Sequence, residues 1–132
     1  MLFSTGNNVI DINIAATKGV YSTMLYTRQR CQCPVCRNFD ERLCAMDNHS
    51  LAFLEELGVT VGKCTELWPY EPGDREGMQK YCLLYPVVCM VVQYSDEAVE
   101  WLNVDEGLSI AITKEGKNVY LMLDWELEWT HK

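Results

Sequence analysis

Four of the seven cysteines fall within the fourteen residues CQCPVCRNFDERLC, Cys31 to Cys44. Thiols at this density suit two kinds of chemistry: as thiolates they hold soft metal ions, or they exchange electrons through disulfides. Cys33-Pro34-Val35-Cys36 is a C-x-x-C. That spacing presents two sulfurs to one tetrahedral ion across a tight turn, whose backbone amides help to neutralise the thiolates. Cys31 adds a third sulfur two residues earlier. A closed structural site takes four ligands, and Cys44 is the nearest fourth candidate, with His49 and Cys64 as alternatives. The expectation is a zinc site on Cys31, Cys33, Cys36 and Cys44, although no later C-x-x-C completes it.

Redox chemistry competes with this reading. Cys33-Pro34-Val35-Cys36 resembles the active-site motif of thioredoxin-like proteins, in which a helix N-terminus lowers a thiol pKa. Tyr85-Pro86 ahead of a strand resembles their cis-proline. The order of elements read from the chain differs, because a hairpin precedes the motif and no closing helix follows Trp129. A third reading makes the cysteines inert free thiols. Cys82 and Cys89, inside an apolar strand block, fit that reading because Cys is among the most often buried residues. The odd cysteine count and an N-terminus without a basic stretch ahead of its apolar residues point to a reducing, cytoplasmic setting, where a disulfide framework is not expected.

No G-x-S-x-G, phosphate-binding Gly-rich loop, H-E-x-x-H or EF-hand loop occurs, and two histidines leave little for acid–base work. These absences weigh against an enzyme without deciding the matter. Asp124, Glu126 and Glu128 share one strand face and could hold a hard cation such as calcium, but a solvated edge face explains them as well. The formal net charge of −8 repels phosphate backbones and so disfavours direct binding of nucleic acid. It suits docking onto a basic protein. Trp68 and Tyr70 amid Glu71, Asp74 and Glu76 form the candidate partner surface, since aromatic anchors supply affinity and rim charges steer approach.

The elements that must position these residues follow from periodicity. A chain of 132 residues is expected to form one domain, 1–132, and its longest apolar run falls well short of a membrane span. Val9 to Ile14 alternates as a half-buried strand. Ala16 to Gly19 reads as a turn, and Val20 to Thr27 as a second strand leading into the cysteines. Asp40 to Leu57 is helical, with a break at Asp47-Asn48 and a stop at Gly58. Thr65 to Gly77, with prolines at 69 and 72, reads as a long loop. Gln79 to Tyr94 is a buried strand block in which Pro86 forces two strands, a bulge or an edge. Ser95 is placed to cap a short helix through Leu102. Leu108 to Ile112 and Val119 to Trp129 form a hairpin with one apolar and one acidic face. The expected class is α+β, mainly antiparallel β in a sandwich- or barrel-like sheet, with one or two short helices inserted after the cysteine cluster.

Cys33, Cys36, Asn38 and Phe39 resemble the C-x-x-C-x-N-F signature of small proteins of bacteria and their phages that carry no assigned activity. FLEELGV at 53–59 and LDWELEW at 123–129 resemble later landmarks of that family. The resemblance implies a cysteine-marked β-rich domain whose Asn38 and Phe39 anchor the turn, and Cys31 is an extra thiol relative to it. Together with size and acidity, it suggests a protein-binding domain encoded by a phage or mobile element that inhibits a host system, an anti-CRISPR-like role included. The competing functions are a thiol–disulfide redox protein using Cys33 and Cys36, and a structural protein assembling through the Trp125 and Trp129 strand.

Overall fold

Alternation in the last third of the chain becomes the centre of the protein. A computed structural model describes residues 1–46 and 49–130. Strands β7 (Leu108–Glu115) and β8 (Asn118–Glu128) form the expected hairpin. β8 turns Val119, Leu121, Leu123, Trp125 and Leu127 into the core. Its other edge pairs antiparallel with β4 (Met78–Val87) from Met78↔Glu128 to Val87↔Val119. β3 (Glu66–Pro72) flanks β4 and β6 (Trp101–Asp105) flanks β7, giving the order β3-β4-β8-β7-β6. Side chains therefore meet in rows across the buried face: Leu83, Leu123 and Ile110 form one, and Tyr85, Leu121 and Ile112 the next. The sheet does not close into a barrel, since β3 and β6 are its edges.

β8 is thus a central strand, and its acidic face is not the edge that the sequence suggested. Its three carboxylates are engaged separately. Glu126 meets Arg75 Nε at 2.8 Å, Glu128 meets Arg42 at 3.4 Å, and Asp124 accepts from the Tyr70 hydroxyl at 2.5 Å. Being drawn to three different partners, they do not converge as a calcium site requires.

The Pro86 expectation resolves into two strands. β4 runs through Pro86, and the chain leaves the sheet at Val88 to form β5 (Cys89–Gln93) in a second sheet. There β5 pairs with β2 (Asn8–Ile12), which pairs with β1 (Leu2–Thr5), an N-terminal strand not expected from the pattern. The crossover is held by buried Thr17, whose Oγ1 accepts from the Val88 N–H at 3.0 Å, and by Asn13 N–H donating to the Val88 carbonyl at 2.8 Å.

Three local readings are corrected. The turn at 16–19 and the strand at 20–27 are instead helix α1 (Ile14–Ser22), followed by the single turn α2 (Thr27–Arg30). Asn13 caps α1 by accepting from Ala16 N–H at 2.9 Å, and Thr17 and Tyr21, one turn apart, are its buried face. A side-chain cap and a buried stripe outweigh the β-propensity of Val20 and Tyr21. The loop at 65–77 contains β3, in which edge position excuses both prolines from donating to the ladder. A register shift between Pro69 and Glu71 leaves Tyr70 as the extra residue. The helix capped by Ser95 does not form, and the chain is irregular up to β6. Val99 in this stretch and Trp101 at the start of β6 are both exposed, so no apolar stripe turns inward to stabilise a helix.

Helices α3 (Pro34–Ala45) and α4 (His49–Glu56) occupy the stretch read as helical, but α3 starts six residues before Asp40. Proline at the first helical position is favoured because its missing N–H has no partner there in any case. α3 therefore begins inside the cysteine cluster, and α1 and α2 precede it, contrary to the expectation that helices only follow. The expected break at Asp47-Asn48 lies outside the described residues, as does His131. Gly58 ends α4 with φ +93°, a conformation open to glycine. Phe39, Leu54 and Leu57 join the sheet residues and Phe3, Ile10 and Ile12 in one core. The result is an α+β fold with mainly antiparallel sheets. No helix among the described residues is long and apolar enough to cross a membrane.

Candidate metal centre

Two helix ends bring three sulfurs together. Cys31 closes α2, its N–H donating to the Thr27 carbonyl at 3.0 Å. Cys33 is the N-cap residue of α3, and Cys36 lies in that helix's first turn. Cys31 and Cys33 are both extended, and residues two apart in extended chain project to the same side. Gln32 between them is exposed. The helix then carries Cys36 back under the same spot, so the Sγ atoms of Cys31, Cys33 and Cys36 all lie within 4.8 Å of one another. Zn–S bonds of about 2.3 Å in a tetrahedron place sulfurs roughly 3.8 Å apart, so the observed cluster is near that size. This group of three could hold a metal ion.

The two thiols of the C-x-x-C sit in opposite environments. Cys33 is exposed and Cys36 is buried. Cys33 makes no regular capping hydrogen bond, yet the backbone N–H of Cys36, then the Cys31 side chain, hold its thiol below the ordinary value. Cys36 is pushed well up, first by burial and then by hydrogen bonding with Cys31. Of the two, the exposed sulfur at the positive end of the helix is the one whose anionic form is favoured.

The other proposed ligands are elsewhere. Cys44 is exposed in the last turns of α3, and His49 is exposed at the start of α4. Cys64 is buried, its Sγ 3.2 Å from Thr27 Oγ1, and burial raises its thiol despite that contact. None of the three belongs to the cluster, so a four-cysteine site with Cys44 is not what the fold assembles among the described residues. Helix geometry explains Cys44: eight residues beyond Cys36 along α3 is roughly 12 Å of axial rise. Cys82 and Cys89 are half-buried and apart from the cluster, and burial followed by the charge of Asp124 lifts Cys82 to about 11. The Tyr85-Pro86 bond is trans, as are all described peptide bonds.

What seats α3 is its next turn. Asn38 is fully buried, its amide donating to the Tyr81 hydroxyl at 2.9 Å and the Glu128 carbonyl at 3.0 Å. Its Oδ1 accepts from the Thr130 N–H at 2.9 Å and the Thr130 hydroxyl at 3.1 Å. Asn38→Ala should cost about 2–3 kcal/mol in urea unfolding, because buried partners lose their hydrogen bonds without gaining water. The loss should shrink in a Tyr81→Phe background, and an equal loss in both backgrounds would show that the Tyr81 bond carries none of it.

A groove of about 540 Å³ opens beside the sulfurs, between the α2–α3 junction and β3, with Cys31, Cys33, Cys36, Val35, Leu67 and Trp68 among its walls. Residue spacing gave no sign of it, because its walls come from segments some thirty residues apart. Trp68 is 38% exposed on this wall, and Tyr70 is 44% exposed further along β3. Glu71, Asp74 and Glu76 are exposed, but Lys80 bridges Glu71 at 3.3 Å and Asp74 at 3.1 Å, so part of that acidity is neutralised within the chain. Comparison with protein-family models, with curated proteins and with solved structures gives no match for this chain.

Proposed function

We propose that the protein is a binding domain built around a zinc centre on Cys31, Cys33 and Cys36. The observation that carries this reading is the convergence of three sulfurs within 4.8 Å at the junction of two helices. An all-thiolate donor set selects soft or borderline ions, and zinc accepts it in tetrahedral geometry, with water or an outside group in the fourth position. Zinc here would clamp the end of α2 to the start of α3, and so fix one wall of the groove against β3.

Protein purified without chelator should carry about one zinc per chain. Cobalt substitution should give the intense thiolate charge-transfer bands of a sulfur-rich site. Cys33→Ser or Cys36→Ser should release the metal, whereas Cys44→Ser and His49→Ala should retain it. Elemental analysis that finds no metal, together with seven freely titrating thiols, rejects the centre. Retention of zinc in Cys33→Ser with loss in Cys44→Ser would relocate it.

The partner side of the reading rests on Trp68 and Tyr70, two exposed aromatic residues near Glu71, Asp74 and Glu76 on and after β3. Such anchors beside charge suit a basic protein partner. A doubly substituted Trp68→Ala, Tyr70→Ala protein should lose the basic protein partners that the unaltered protein captures from cell extracts. Unchanged capture removes this surface from the reading.

A further inference from the structure

Cys33 and Cys36 are one helical turn apart and differ sharply in access. Cys33 is exposed, whereas Cys36 is 7% accessible behind it, with their sulfurs inside the same 4.8 Å cluster. A reagent arriving through the groove meets the Cys33 sulfur first and leaves Cys36 at its back. Closing these sulfurs to the roughly 2.05 Å of a disulfide asks for side-chain movement at Cys33, and its exposed position leaves room for that movement. The groove itself offers Val35, Leu67, Trp68 and Pro69 as an apolar wall for whatever flanks the reacting atoms.

We propose that the metal-free cluster carries out thiol–disulfide exchange, with Cys33 as attacking thiol, Cys36 as resolving thiol, and peptide disulfides with apolar flanks as substrates. Cys33, giving up its proton, attacks one sulfur of R–S–S–R′; the Cys33–S–R bond forms, the S–S bond of the substrate breaks, and R′–S⁻ leaves and takes up a proton. Cys36, losing its own proton, then attacks Cys33 Sγ, and R–S⁻ departs to be protonated in turn. The two protein thiols have lost two electrons and two protons, and the substrate has gained both as R–SH and R′–SH. This goes beyond the zinc centre and excludes it in time. Metal on Cys33 blocks attack, and the Cys33–Cys36 bond removes two of three ligands.

The test uses the full chain, reduced, chelator-treated and kept from oxygen. It is mixed either with glutathione disulfide or with a disulfide-linked peptide carrying leucine or valine beside its cysteines, then alkylated and mapped by mass spectrometry. A Cys33–Cys36 bridge is expected, faster with the peptide than with glutathione disulfide, and Trp68→Ala should reduce that preference. Cys36→Ser should accumulate the mixed disulfide on Cys33, Cys33→Ser should form no bridge, and Cys31→Ser should still close it. Far-UV circular dichroism checks that each variant is folded. Exposed Cys44, on the same helix but outside the cluster, is the internal reference. A mixed disulfide forming no faster on Cys33 than on Cys44 overturns the proposal, as does a bridge that requires Cys31. No preference for the peptide overturns the assignment of the groove. Zinc binding is read by a separate assay, so failure of the metal centre leaves this result interpretable.

Discussion

Phe39→Ala is expected to destabilise the protein by about 3–5 kcal/mol, as for other buried aromatic residues cut to alanine. Phe39 is fully buried. Its ring lies 6.2 Å from that of Tyr81 on β4 and 6.4 Å, edge-on, from that of Trp125 on β8. Removal leaves a ring-sized void between α3 and two central strands, neither of which can collapse into it without breaking the ladder they share. The site should feel the change too, because Phe39 is one turn from Cys36 and sets how α3 stands against β3. Affinity for zinc at the proposed centre, measured by chelator competition, should therefore fall in Phe39→Ala and recover largely in Phe39→Leu. A loss below about 1 kcal/mol in denaturant unfolding would show that α3 is not seated through this ring.

Leu123→Ala should cost about 2–5 kcal/mol, against a small effect of Met122→Ala on the opposite face of the same strand. Leu123 is fully buried between Leu83 and Ile110 in the central row of the sheet. A one-residue slip in pairing would exchange the two outcomes, so the comparison tests the register directly. Glu126 gives a third outcome. It lies on the face expected to be open to solvent, yet only 7% of its side chain is accessible, because Arg75 and the Asp74 N–H close over it. The Arg75 hydrogen bond holds its carboxyl below the ordinary 4.5. A lowered carboxylate stabilises the fold fully above its ordinary value, and this contribution fades as pH falls through the lowered one. Glu126→Ala should thus destabilise at neutral pH, by less than Leu123→Ala, and converge on the unaltered protein in strong acid. A difference independent of pH would show that the ion pair contributes nothing.

The strands that alternate cleanly were legible in the chain because period two has one meaning when an apolar face must be buried. Val119 to Leu127 and Leu108 to Ile112 needed no tertiary information, and Gly58 marked its helix end by backbone chemistry alone. The cysteine cluster was legible for the same local reason: three of its thiols lie within six residues, so any tight turn brings them near one another. The N-terminal region misled where a local preference met a stronger distant demand. Val20 and Tyr21 favour strand, but Tyr21 is drawn inward, its hydroxyl donating to the Pro86 carbonyl at 2.8 Å. Asn13 ahead of Ile14, Thr17 and Tyr21 was the readable helix signal. Pro69 and Pro72 read as breakers because a proline's cost depends on whether its strand is an edge, which only strand order decides. The exclusion of Cys44, the burial of Cys36 behind Cys33, the latch at Asn38 and the groove under Trp68 were likewise decided in three dimensions. Each depends on where α3 lands against β3, β4 and β8, and that placement is set by packing between residues some thirty to ninety positions apart.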